Sequence, residues 1–93
     1  MDLTVDYKQM KTKEDAYIAV KNAITADLLA RFKVSAQISY NENDKILANG
    51  KGFKLTMGFS ESEVGVKLDL NLLLRPLRGK ILEAIEKQIN RVI

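Results

Sequence analysis

Four short segments between residues 34 and 70 alternate apolar and polar side chains, and this pattern constrains the fold more than any other feature. Turn-forming residues separate the segments, which read VSAQISY (34–40), KILAN (45–49), FKLTMGF (53–59) and VGVKLDL (64–70). A period of two is typical of strands with one buried face, and short turns join antiparallel neighbours. The pattern therefore predicts a four-stranded antiparallel meander. In its first strand the side chains expected to face inward are Val34, Ala36, Ile38 and Tyr40. In KILAN the inward face stays open, because Ile46 and Leu47 point to opposite sides.

One more strand and two helices complete the predicted order. DLTVDY (2–7) alternates like the later segments, and Thr12 is a suitable helix N-cap with Asp15 three residues later. Residues 13–32 contain neither proline nor glycine and are rich in alanine and leucine, which favours one helix. Pro76 suits the first position of a final helix. The apolar stripe of that helix consists of Leu77, Ile81, Ile85, Ile89 and Val92.

These elements predict an α+β fold with the order β-α-β-β-β-β-α. The 93 residues suffice for one domain, so we expect a single α+β domain over residues 1–93. The dry face of the sheet needs a cover, and the two amphipathic helices are the available elements. We therefore expect an antiparallel sheet with two helices packed on one face. This arrangement resembles a shortened helix-grip, or START-like, domain.

The chain contains no histidine and no cysteine, which excludes the commonest catalytic and zinc sites. We therefore expect a non-enzymatic protein without a cofactor or a metal ion. Its 15 basic residues are interleaved with 12 acidic ones, and no aromatic residue clearly joins the lysines expected on the wet sheet face, so we do not expect nucleic acid as a partner. The first residues lack a secretory pattern, and no apolar run approaches the roughly 20 residues of a transmembrane segment.

The stretch LNLLLRPLRGKI (70–81) contains the main candidate binding residues. The candidates for contact with an apolar surface or ligand are Leu72, Leu73, Leu74 and Leu77. The candidates for contact with an anion, at the amino end of the final helix, are Arg75, Arg78 and Lys80. The leucines either form an exposed foot or fill the end of the core. The second interpretation is favoured for at least two of Leu72–Leu74, because apolar residues at junctions usually pack. The basic residues are alternatively solvated surface charges.

Two polar residues fall within apolar or small-residue helix faces. Asp27 lies in the alanine-rich face of the first helix, and Gln88 lies in the stripe of the final helix. A polar group that faces a core needs a hydrogen-bond partner. Both residues are therefore candidates for lining an internal cavity and orienting a ligand, with a rim position or local pairing as the alternative.

A resemblance to a known family runs through the same stretch. It is carried by LLARF (28–32), Gly52, Val66, Leu68, Leu70, Leu73, Leu74, Pro76, Leu77, Gly79, Lys80, Ile81 and the stripe to Ile93. Over about residues 12–93 the chain resembles the polyhydroxyalkanoic acid system proteins, also called polyhydroxyalkanoate granule-region proteins. The resemblance implies a bacterial cytoplasmic protein linked to polyester storage granules, and it supplies no catalytic residues.

Two functional hypotheses arise from these observations. The first is a non-enzymatic protein that binds an apolar surface, such as a polyester granule, or an acyl-type ligand. The alternative is a structural or assembly protein that forms a homo-oligomer or binds a protein partner, through a sheet edge or the alanine-rich helix face.

Overall fold

A computed structural model describes residues 2–41 and 44–93 of the chain. Its elements are β1 (Leu3–Asp6), α1 (Lys13–Ala23), α2 (Ala26–Ala30), β2 (Ala36–Asn41), β3 (Lys45–Gly50), β4 (Phe53–Phe59), β5 (Glu63–Leu70), a 3₁₀ turn (Arg75–Leu77) and α3 (Arg78–Val92). The α+β class and the order of the strands along the chain are confirmed. The turn predicted between the first two meander strands includes Glu42 and Asn43, which lie outside the described residues.

The five strands form one antiparallel sheet with the order β1-β5-β4-β3-β2. Strands β2 to β5 make the predicted meander, and β1 lies beside β5, where Val5 faces Val64. In β3, Ile46 and Ala48 are buried whereas Leu47 is half-buried. Ile46 and Ala48 therefore form the inward face that the alternation left open.

The helices pack over the dry face of this sheet. Buried residues of α1, α2 and α3 belong to one cluster with the inward side chains of the strands, and α1 packs against α3. The ring of Tyr17 on α1 meets the ring of Phe59 on β4 edge-on, with 5.4 Å between the centroids. The α3 residues Ile81, Ile85 and Ile89 are all buried, which confirms the apolar stripe. The resemblance to a helix-grip domain stays a prediction.

The single helix predicted over residues 13–32 is wrong, because the chain breaks at Ile24 and Thr25. Both residues have extended backbone, and Thr25 begins the short helix α2 by accepting a hydrogen bond from the Leu28 N–H at 3.3 Å. Thr12 caps α1 in the same way, through the Asp15 N–H at 3.1 Å, as predicted. A threonine oxygen satisfies N–H groups at a helix start, so Thr25 supplies a second start signal inside the apparent helix.

The end of α2 has the hydrogen bonds of a Schellman motif, with Lys33 in the left-handed position. The Lys33 N–H donates to the Ala30 carbonyl at 2.9 Å, and the Val34 N–H donates to the Leu29 carbonyl at 3.3 Å. The φ angle of Lys33 is 60°, a conformation that usually requires glycine at this position. Val34 and Leu29 occupy the two positions that are typically apolar in this motif, and both are buried in the core.

The inward face predicted for the first meander strand is only partly correct. Val34 is buried but precedes β2, Ala36 and Ile38 are half-buried, and Tyr40 is 39% exposed. The reason is topological, because β2 is an edge strand and the helical layer does not fully cover it.

The start of the final helix also differs from the prediction. Pro76 lies in the 3₁₀ turn, and α3 begins at Arg78. Among the described residues, no helix has the length and apolar character needed to cross a membrane.

Candidate surface-binding site

A tight turn after β5 brings the leucine-rich stretch to the surface. The Asn71 carbonyl accepts hydrogen bonds from the N–H groups of Leu74 and Arg75, each at 3.1 Å. The Asn71 side-chain oxygen accepts from the same Leu74 N–H at 3.1 Å. Asparagine favours the first position of a β-turn because its side chain can bond the backbone beyond it. Leu72 and Leu73 therefore occupy the two central positions of this turn.

Gly52 holds the turn against the neighbouring hairpin. The Asn71 N–H donates to the Gly52 carbonyl at 2.9 Å. Gly52 has a φ angle of 73°, and a Cβ atom at this position would collide with the Asn71 side chain. Only glycine combines this backbone conformation with so close an approach at little cost. The close contact between Gly52 and Asn71 thus fixes the position of the turn that carries Leu72 and Leu73.

Leu72 and Leu73 project into solvent, with 76% and 86% of their surface exposed. This overturns the expectation that at least two of the three leucines fill the end of the core. Only Leu74 turns back, and both it and Leu77 are partly buried against the core. Leu72 and Leu73 are the central residues of this surface turn, and the hydrogen-bonded backbone of the turn holds both side chains in solvent.

The exposed leucines adjoin a basic groove that sequence reasoning missed. Leu73 and Leu74 line it together with Lys33, Val34, Ser35, Lys51 and Asn71. The described lining thus includes two lysines and no acidic residue. Lys33 reaches it from the end of α2, and Lys51 reaches it from the turn between β3 and β4. The two lysines are far apart in sequence from the leucines, so no local motif could have indicated this cluster.

The predicted anion-contact residues lie at a different place, and one of them already has a partner. Arg75 and Arg78 line a cleft with Asp2 and the end of β5. The Arg78 guanidinium donates to the Asp2 carboxylate, forming an ion pair. The other carboxylate oxygen of Asp2 accepts from the Leu68 N–H at 2.7 Å. Lys80 is exposed on α3. Arg78 therefore anchors the start of α3 to the N-terminal strand region.

The surroundings of Asp2 also set its protonation. The hydrogen bond from the Leu68 N–H is the main cause that lowers the pKa of the Asp2 carboxyl below its usual 3.8, and the Arg78 charge acts in the same direction. Both contacts favour the ionised form. The Asp2 carboxyl, which at neutral pH is ionised in any case, therefore stays ionised to a lower pH than a free aspartate does.

The two candidate cavity residues lie on different helices, Asp27 on α2 and Gln88 on α3. Asp27 is exposed and lies on an open groove between α2 and the start of β2. Gln88 is half-buried on α3. Asp27 therefore occupies the rim position that was the alternative to an internal cavity.

Comparison with known proteins identifies one family. The model for the family described as "Putative polyhydroxyalkanoic acid system protein" matches residues 5–93, which include every helix and almost every strand residue. Neither the curated proteins nor the solved structures gave a match. The resemblance inferred from the leucine-rich stretch is thereby confirmed. On this match, the chain belongs to the polyhydroxyalkanoic acid system protein family.

Proposed function

We propose that this protein is a non-enzymatic surface-binding protein that docks on polyester granules by inserting Leu72 and Leu73. The observation that carries the proposal is the exposure of these two adjacent leucines, at 76% and 86%, on a hydrogen-bonded turn. The family name supports the polyester, because it links the chain to the polyhydroxyalkanoate system. The proposal places the protein in the cytoplasm, beside stored polymer.

The free energy gained by burying Leu72 and Leu73 on a granule surface corresponds to a weak, reversible contact. Full burial of one leucine side chain contributes about 1.5–3 kcal/mol, so two leucines contribute about 3–6 kcal/mol before the cost of association. Without that cost, about 3–6 kcal/mol corresponds to a dissociation constant between about 6 mM and 40 μM, so the cost of association makes the contact of one molecule weaker than this. A granule presents many equivalent positions, and binding of this strength lets the protein cover the surface reversibly.

The lysines of the basic groove extend the contact to charged groups. A polyester of hydroxy acids ends in a carboxylate, and Lys33 and Lys51 provide ammonium groups beside Leu73. Attraction at the surface is screened by salt, whereas burial of the leucines is not. We therefore expect partition to weaken moderately, and not to vanish, as the salt concentration rises.

A surface is a better fit than an enclosed acyl chain. The two leucines project outward from the turn and do not line a closed cavity, so a single narrow acyl chain would leave much of their area in water. A broad apolar surface can cover both side chains at once. The acyl-type ligand is thus the weaker form of the hypothesis.

Partition on protein-free polyester particles tests the proposal. We expect the Leu72→Ser/Leu73→Ser variant to lose most of its particle-bound fraction in a sedimentation assay. The matched control is Ile18→Ser, which removes a large side chain that is 53% exposed on α1, a helix that contributes no residue to the groove beside the turn. The control should partition like the unmodified protein. Equal partition of the Leu72→Ser/Leu73→Ser variant and the unmodified protein would reject the proposal.

A further inference from the structure

The two edges of the sheet are protected to very different degrees. The edge strand β1 has four residues, ends at Asp6, and is preceded by Asp2, whose carboxylate accepts the Leu68 N–H. The other edge strand, β2, has six residues with the sequence AQISYN and therefore no charge, proline or glycine. Within residues 2–41 and 44–93, no strand pairs with the outer side of β2. Natural edge strands are usually short or charged, because unpaired backbone groups otherwise recruit another strand.

We propose that two copies of this chain pair antiparallel through β2, joining their five-stranded sheets into one of ten strands. This interface is distinct from the leucine turn and does not depend on granule binding. An uncharged strand can pair with itself without like-charge contacts, whereas the acidic β1 cannot do so as readily. A second copy is therefore the occupant that the charge pattern of β2 favours.

The register is set by the side chains on β2. Residues directly opposite each other in an antiparallel pair share one face of the sheet. A two-fold axis at Ile38 places Ile38 opposite its own copy and Gln37 opposite the partner's Ser39. The same axis places the exposed Tyr40 opposite the partner's Ala36, so that a large side chain meets a small one.

A groove at Ala36 is suited to this tyrosine. Its lining includes the small residues Ala26, Ala30 and Ala36 and the charged residues Asp27 and Lys33. The Tyr40 ring is held by its own chain, with the Lys21 ammonium 4.8 Å from the ring centroid. In the paired sheet each Tyr40 covers the partner's groove and directs its hydroxyl donor towards the partner's Asp27. The symmetric arrangement forms this contact twice.

Sedimentation equilibrium of charge variants tests the pairing and its register together. The positions Gln37 and Ser39 are exposed, so lysine or glutamate there is compatible with the fold. The Gln37→Lys/Ser39→Lys variant places like charges opposite each other twice, and we expect dimerisation to weaken about tenfold. The Gln37→Lys/Ser39→Glu variant places opposite charges there, and we expect it to dimerise at least as well as the unmodified protein.

Matched controls separate the interface from net charge and from the tyrosine contact. Thr4→Lys/Ser62→Lys adds the same charge at exposed positions away from β2 and should leave the dimer intact. Tyr40→Ala should weaken dimerisation about tenfold, and Tyr40→Phe less, because the ring remains.

Three results would overturn the proposal. These are a monomer up to millimolar concentration, a dimer that the two introduced lysines leave unchanged, and a lysine–glutamate variant that dissociates like the double-lysine variant. The Leu72→Ser/Leu73→Ser variant should still dimerise, so failure of granule binding and failure of the dimer are distinguishable.

Discussion

Two pairs of adjacent leucines have opposite environments in this protein. Leu28 and Leu29 on α2 are 6% and 1% exposed, whereas Leu72 and Leu73 in the turn after β5 are 76% and 86% exposed. Both pairs come after a polar residue that accepts a hydrogen bond from a later backbone N–H, namely Thr25 and Asn71. The hydrogen bonds before the two pairs are therefore similar, and each pair consists of two adjacent leucines.

The difference in exposure arises from the path of the backbone after Thr25 and after Asn71. After Thr25 the chain enters a helix that lies over the sheet, and the Schellman motif at its end returns Val34 to the core next to Leu29. After Asn71 the chain makes a turn, and the next inward residue is Leu74. Hydrophobicity alone therefore does not decide whether a leucine is buried. The path of the backbone around the leucine decides it.

The largest expected effect is on the buried pair. Leu29→Ala should lower the free energy of unfolding by about 3 kcal/mol, because it removes a core side chain and leaves a cavity. Leu73→Ala is the matched control and should change it by less than about 0.5 kcal/mol, since the side chain is in solvent. Urea unfolding monitored by circular dichroism measures both. Equal losses for the two variants would contradict the comparison.

A smaller effect is expected at the motif that turns the chain back after the buried pair. Lys33→Gly should raise the free energy of unfolding by about 1 kcal/mol, because glycine adopts the left-handed conformation without the steric cost of a side chain. The same urea experiment measures the gain. Lys51→Gly removes the other groove lysine and, lacking this backbone cause, should give no comparable gain. A destabilised Lys33→Gly variant would show that the lysine side chain contributes more than its backbone costs.

The smallest expected effect is on the loss of stability in acid. It involves the ion pair between Asp2 and Arg78, which follows the exposed leucine pair in the sequence. The pKa of Asp2 is lowered in the folded state, mainly by the Leu68 N–H, so its contribution is present above the unfolded value of 3.8. It is lost as the pH falls through the lower folded value, and protonation weakens the Asp2–Arg78 pair at the start of α3. Stability measured by urea unfolding should therefore fall less steeply with acid in Asp2→Asn than in the unmodified protein. Identical slopes would contradict this assignment.

Much of the fold was predictable because its signals are local. The alternation of β4 and β5, the stripe of Ile81, Ile85 and Ile89, and the Thr12 cap all depend on neighbours within a few residues. The break at Thr25 had a local signal too, since threonine is a good N-cap, but the surrounding alanines and leucines favoured one long helix. For the candidate site, the leucine-rich stretch was recognised from the sequence, whereas Lys33 and Lys51, which line the groove beside it, were not.

The sequence by itself determined the α+β class, the order of the strands along the chain, the apolar face of α3 and the family to which the chain belongs. Only the tertiary structure decided which leucines are exposed, that Lys33 and Lys51 line one groove with Leu73, and that no strand among the described residues pairs with the outer side of β2. Periodicity and caps act between residues close in the chain, so a sequence carries them directly. Exposure depends on whether a distant element covers a residue, and that depends on how the whole sheet and its helices pack.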